Sequence, residues 1–432
     1  MPVRVLSPLF ALALVLCAGC GRMMQPPAPI KAGFNPVELL DPVGEADAEC
    51  GLDMKDLYAV AERMRHERRP AVLPPVRNVL VLSGGGTYGA YSAGVLVGWT
   101  ETGTRPPFDV VTGISTGALI APLAFLGPEY DPQLREVYTT LRNTDVFRIR
   151  KTVRTLLLAT ESFADSSPLA RQIERMVTPD LLRRIAAEHR AGRRLYVGTT
   201  ELEAKRPVVW DMGEIACRGT MDDLILFRQV LLGSAAIPGF FPPVRIPVTV
   251  DGQELTERHV DGGVTNALFF RPPYTPPELR HDPSASLYGS NVYTLVAGKL
   301  YADPATVSRR SLLIAADSVS TLIYAQTRGD LLKLYTACLL TGMNYYTASI
   351  PADFQAPASS TDFDPKEMTR MFDEGRRRAA SGMEWRTTPP GLEPGEGAFL
   401  RTGTALTRVP LEVPKNPLPA PRRGLRRPEV AR

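Results

Sequence analysis

The sequence predicts an α/β protein whose central sheet is mostly parallel and flanked by helices, with a helical extension at its C-terminal end. Two observations predict it. The apolar run Asn78-Val79-Leu80-Val81-Leu82 is broken by Ser83-Gly84-Gly85-Gly86-Thr87-Tyr88-Gly89 before a helix-compatible stretch from Ala90 to Trp99. The plan then repeats, with Phe108-Asp109-Val110-Val111-Thr112 as a strand, Gly113-Ile114-Ser115-Thr116-Gly117 as a turn and Ala118 to Leu126 as a helix. Successive units of this kind set their strands parallel and cover the sheet with their crossover helices.

The remaining elements follow from local signals. Between Gly21 and Arg77 a Pro-containing linker leads to Asp53-Met54-Lys55-Asp56, which caps a stretch with Leu57, Val60, Ala61 and Met64 at helical spacing. From Asp131 to Arg194 three starts of the form cap-then-proline (Asp131-Pro132, Ser167-Pro168 and Thr178-Pro179) predict a helical insertion. Strand-like segments return at Leu195 to Thr200, Val208 to Asp211, Arg258 to Asp261 and Asn291 to Ala297. Leu224 to Leu232 reads as a helix, and Ile237 to Pro243 as a stiff loop. Asp303-Pro304 opens a helical region to about Leu340, and Asp364-Pro365-Lys366-Glu367 caps a last helix ending near Ser381-Gly382. The expected organisation is therefore a signal over 1–19, a linker and helix over 20–77, a main domain over 78–297, a helical region over 298–384 and a disordered tail rich in Pro and Arg over 385–432.

At 432 residues the chain can bury a sizeable core without disulfides or metal. The formal charge of +4 is accounted for by the Arg-rich last dozen residues, so nucleic acid is not an expected partner. Arg4 followed by an apolar run from Val5 to Ala18 has export-signal architecture and is too short to span a membrane, which takes about 20 apolar residues. Cys17-Ala18-Gly19-Cys20 resembles a bacterial lipobox, with Cys17 in place of the usual Leu. Cys20 is accordingly expected to carry lipid and to anchor the protein to a membrane of a bacterial cell envelope, at the outer membrane or in the periplasm. The other cysteines, Cys50, Cys217 and Cys338, are widely spaced and form no CxxC pair, so neither a metal site nor a disulfide framework follows.

The chemistry centres on Gly113-x-Ser115-x-Gly117. Placed between a strand and a helix, this pattern allows the tight turn that exposes a serine hydroxyl above a sheet, and the helix N-terminus favours negative charge there. A serine nucleophile needs donors for an oxyanion, and the backbone amides of Gly84, Gly85 and Gly86 fit that need because no side chain blocks approach. With Gly89 the same turn also satisfies GxGxxG, a dinucleotide fingerprint. That reading wants an acidic residue at the end of the second strand, where Asp109 instead begins it, and it leaves the Ser115 turn unexplained.

A serine hydroxyl also needs a proton acceptor. Among the four histidines, His66 and His189 read as solvated helix and surface residues and His281 sits in a Pro-rich loop. His259 is two residues before Asp261 on a strand, so the two side chains point to the same face. Asp261-Gly262-Gly263 competes with it, since the two glycines leave the carboxylate unobstructed; an isolated motif of this kind is also a common hairpin turn.

With Gly84-Gly85-Gly86, Gly113-x-Ser115-x-Gly117 and Asp261-Gly262-Gly263 in this order, the chain resembles the patatin-like phospholipases over roughly Asn78 to Asn266. Ser234-Ala235-Ala236-Ile237-Pro238 extends the resemblance, looking like the loop before the dyad aspartate in that family. The resemblance implies a three-layer α/β fold distinct from the α/β hydrolases. It implies a Ser–Asp dyad without a catalytic histidine, an acyl-enzyme intermediate, a lipid or acyl-ester substrate and no cofactor or metal. Carried over by position, Ser115 is the nucleophile, Asp261 the base and Gly84 to Gly86 the oxyanion site. Tyr88 stands where many members have Arg or Lys, which weakens the expected preference for anionic substrates. The competing expectations are an α/β-hydrolase-type esterase pairing Ser115 with His259 or His281, and a lipid-binding surface lipoprotein without activity. Ala121 to Leu126 and Leu156-Leu157-Leu158 are candidate linings for an acyl channel.

Overall fold

The computed structural model describes residues 60, 63–67, 69–71, 73–150, 161–250, 252–272, 286–302 and 311–391. The signal segment, Cys20, Cys50, most of the N-terminal helix, Leu156 to Leu158, His281 and the tail from residue 392 lie outside the described residues.

The two strand–turn–helix units are β1 (Asn78–Leu82) with α1 (Gly89–Glu101) and β2 (Val110–Ile114) with α2 (Thr116–Leu126). The insertion follows as α3 (Asp131–Thr140), a helical turn α4 (Asn143–Val146), the small hairpin β3 (Arg148–Ile149) and β4 (Ala164–Asp165), α5 (Ser167–Met176) and α6 (Pro179–Arg190). Proline stands in the first turn of α3, α5 and α6, and Thr178 caps α6 by accepting the Leu181 amide at 3.2 Å. The chain continues through β5 (Arg194–Glu201), β6 (Arg206–Asp211), α7 (Met212–Arg218), α8 (Met221–Ser234), β7 (Val244–Val250), β8 (Gln253–Asp261) and β9 (Asn291–Val296). It ends with α9 (Ser311–Thr341), β10 (Asn344–Ser349) and α10 (Pro365–Ala380), whose cap is Asp364.

The fold is the expected mixed α/β class. Among the described residues eight strands form one sheet in the order β10-β9-β1-β2-β5-β8-β7, with β6 also paired to β5. The four pairings from β10 to β5 are parallel, and those among β5, β6, β7 and β8 are antiparallel. Alternation along the strands splits the core. Leu80, Leu82, Val111 and Leu295 point into a cluster shared with α1, α2 and α10, whereas Val79, Val81, Val110 and Val292 face Leu331, Leu334 and Cys338 of α9. The sheet is thereby sandwiched between helices on both faces.

Two strands depart from the sequence expectation. The sheet does not end near residue 297: β10 joins its edge from within the stretch read as helical and pairs with β9 from Asn344 to Ser349. Its inward residues are tyrosine and small side chains rather than an aliphatic run, which is why no strand pattern is visible there. β7 is masked by Pro247, which counts against a strand in sequence but is tolerated here because β7 ends the sheet. At the start of the expected tail, Trp385 packs on Trp99 and Tyr293, and Arg386 exchanges backbone hydrogen bonds with Thr347.

Packing around the first unit is close. Arg105, its side chain 2% exposed, holds Asp131 of α3 at 2.8 Å and also donates to Ala124 O at the end of α2. Helices α1 and α10 cross at Gly94, where an added Cβ would lie 2.0 Å from Phe372 O. Gly94→Ala is therefore expected to destabilise the fold by about 1–3 kcal/mol through forced separation of the helices, read as a lower urea midpoint.

Candidate active site

Ser115 occupies the turn between β2 and α2 at φ 53° and ψ −122°, one of two described non-glycine residues with positive φ. Such a conformation costs about 1–3 kcal/mol and persists only where the surroundings impose it. Those surroundings are backbone. A Cβ on Gly113 would lie 2.4 Å from Gly117 O, and one on Gly117 would lie 2.5 Å from Leu82 O. Both flanking glycines are thus required by space, so the elbow can form only with this spacing of small residues.

A serine preceding a helix ordinarily caps it. Ser115 does not cap α2 with its side chain; its hydroxyl faces the Asp261 carboxylate and favours the ionised form of that group. The sheet register brings the two residues together. Along one edge β5 is paired to β6 from Tyr196 to Glu201. Its other edge is shared: β2 runs along it until Ile114 stands opposite Gly198, and β8 takes over with Asp261 opposite Thr199. Two strands of opposite direction therefore meet end to end, with the serine just past one tip and the aspartate at the other.

Asp261 is buried, and burial pushes its carboxyl up to about 6, against hydrogen bonds from Ser115 and from the Gly263 amide that favour the ionised form. The Gly263 amide reaches Asp261 Oδ1 at 2.7 Å. Gly262 packs where a Cβ would lie 2.6 Å from Gly198 O. The aspartate is thus anionic at neutral pH yet close to its midpoint, which suits a group that takes up a proton.

His259 is fully buried on the same strand but its ring faces other partners. Its Nδ1 lies 2.9 Å from Thr199 Oγ1 and its Nε2 lies 3.0 Å from Glu257 Oε2. Trp210 donates to the same Thr199 hydroxyl at 2.9 Å. The histidine belongs to a buried network beside Asp261, and both of its nitrogens are engaged.

In the glycine turn the three amides differ. Gly84 donates its amide to Ala267 O at 3.1 Å, whereas those of Gly85 and Gly86 have no protein acceptor among the described residues. Gly86, at φ +55°, lines a cleft together with Ser115. A strap from the C-terminal segment holds this turn: Ser360 O accepts the Thr87 amide at 2.8 Å, and the Tyr88 hydroxyl donates to Pro357 O at 2.6 Å. Gly89 begins α1 against α2, where a Cβ would lie 2.2 Å from Thr116 Oγ1.

The cleft runs from Ser115 into the helical insertion, with an empty volume, open mouth included, of about 900 Å³. Its walls are apolar: Leu119 and Leu123 of α2, Val137 of α3, Leu169, Ile173 and Met176 along one face of α5, and Ile237, Phe240 and Phe241 of the stiff loop. Of the stretch read as a channel lining, Leu123 alone lines this cleft. The walls contributed by α5 and by Phe363 of the strap escape sequence reasoning, because an amphipathic helix looks the same whether its apolar face meets core or cavity. The lining suits an apolar ligand with a polar group at the serine end.

Residues 80–274 match the family model of the patatin-like phospholipases. The match spans β1 through β8 and contains the glycine turn, the serine elbow and Asp261. No curated protein matches the chain. Among solved structures the chain is similar to VipD from Legionella pneumophila, at 11% identity and a TM-score of 0.32 over 71% of this chain and 67% of that one. It is also similar to the type III effector protein ExoU, at 13% identity and a TM-score of 0.20 over 71% of this chain and 53% of that one. The matched region thus comprises most of the sheet with the glycine turn, the serine elbow and Asp261, while β9, β10 and the strap come from beyond it.

Proposed function

We propose that the chain is a lipid acyl hydrolase, an esterase of phospholipase A or lysophospholipase type, with Ser115 as nucleophile and Asp261 as general base. One observation carries the reading: the sheet register sets Ser115, whose side chain does not cap its own helix, just past the tip of β2 where it meets the tip of β8 and the buried Asp261. The family match of residues 80–274 and the apolar cleft support a lipid as the substrate class.

In the proposed reaction the acyl chain lies in the cleft and Asp261 accepts the Ser115 proton as the hydroxyl attacks the ester carbonyl. The free amides of Gly85 and Gly86 receive the oxyanion, and Gly84, its own amide spent on Ala267, shapes the turn. Collapse expels the alcohol, which takes the proton back from Asp261, and water then releases the acyl-enzyme by the same route. A histidine-based esterase has less support, since both nitrogens of His259 are occupied. The proposed setting is a membrane surface, reached through export and lipidation at Cys20.

Incubation of the purified protein with a mixed lipid extract is expected to release fatty acid, and a fluorophosphonate is expected to label Ser115. Ser115→Ala is expected to lose both. A folded wild-type protein that releases nothing and takes no label would support a lipid-binding module without activity.

A further inference from the structure

Outside the residues already assigned, a buried side chain is hydrogen-bonded to the main chain of Ser115 itself. Ser234, the last residue of α8, is 0% exposed. Its hydroxyl accepts the Ser115 amide at 3.0 Å and donates to Gly198 O at 2.7 Å. Two residues on, Ala236 O accepts the Asp261 amide at 2.9 Å. A three-residue segment at the end of α8 therefore grips the main chain of both Ser115 and Asp261.

From this juxtaposition we infer that Ser234 is a positioning residue, which fixes the Ser115 elbow in register with Asp261. The physical reason lies in the elbow's geometry. The Ser115 amide lies just past Ile114, the last residue of β2 paired to β5, and is buried with the turn. An unpaired buried amide costs about 1–3 kcal/mol, enough to favour relaxation of the turn. A hydroxyl can accept from the Ser115 amide and donate to the Gly198 carbonyl at once, so Ser234 ties the two backbone groups together. The Ser115 amide is thereby committed to Ser234 and lies outside the set of oxyanion donors, consistent with assigning that role to Gly85 and Gly86.

The inference rests on the dyad reading above, and the test keeps the two apart. Activity is measured on a soluble acyl ester and normalised to active sites titrated with a fluorophosphonate, so that unfolded protein does not count. Ser234→Ala is expected to lower kcat per titrated site by about 10²-fold, because displacement of the reacting atom by about 1 Å costs that much. KM should stay within about two-fold, since the cleft is not altered. Ser234→Cys, which keeps the volume but offers a weaker donor and acceptor, should fall between the two and serves if the alanine variant fails to fold. A per-site kcat equal to wild type in both variants, or a change confined to KM, overturns the positioning role. Wild-type protein that neither hydrolyses the ester nor takes the label overturns the functional reading instead.

Discussion

Asp261→Asn is expected to lower kcat for a soluble acyl ester by about 10²- to 10⁴-fold, the range a positioned base contributes. The same substitution should stabilise the folded protein at neutral pH. Burial raises the Asp261 carboxyl to about 6, whereas an aspartate in an unfolded chain titrates near 3.9. Between these values the folded state holds a proton that the unfolded state has lost, so stability falls as pH rises through the window. Above about pH 6 the full cost of holding the carboxylate is present, on the order of 3 kcal/mol for a shift of about two units. Asparagine carries no such cost. Urea unfolding at pH 8 should show the variant to be the more stable protein, with the difference vanishing below about pH 4. The wild-type kcat should fall on the acid side with a midpoint near 6, where the base becomes protonated. Near-normal turnover in the variant would remove Asp261 from the proposed role.

Gly86→Ala should lower kcat by about 10²- to 10³-fold with a small change in KM, as expected when an oxyanion donor is displaced. Two features make this glycine hard to replace. It sits at φ +55°, and an added Cβ would lie 2.0 Å from Ser360 O. Relief requires either the turn or the strap to move, and the turn carries the free amides. The backbone term alone should cost about 1 kcal/mol of stability or more, far less than the kinetic loss represents. An alanine variant with wild-type kcat would place the oxyanion away from Gly85 and Gly86.

Much of this site is legible in the sequence because its constraints are local. Gly113 and Gly117 are demanded by the elbow itself, and the Gly84 to Gly86 turn follows directly from β1, so spacing along the chain reports geometry in space. Asp261 is different. Nothing near it in sequence points to Ser115; the contact is created by β8 docking on β5, and the strand pattern reveals only the last few residues of β8. For this half the family resemblance supplied the expectation that the residues could not. The roles of Ser234 and the Ser360 strap were invisible for the same reason, since a buried serine bridging two backbone groups leaves no periodic trace. The sheet is least legible at its margins, where Pro247 and the tyrosine-rich β10 depart from the apolar runs that mark its interior strands.

The shared edge of β5 also bears on how the molecule comes together. The serine elbow belongs to a unit of consecutive elements, β1 to α2, whose contacts span short stretches of chain and can form early. The aspartate arrives on a strand that must find the remaining length of that edge across the whole insertion and the β5–β6 pair. Loop closure of that span is paid before its contacts reward it. The pairing of Ser115 with Asp261 is therefore expected to form late, and a chain halted before β8 docks would expose an elbow without its partner.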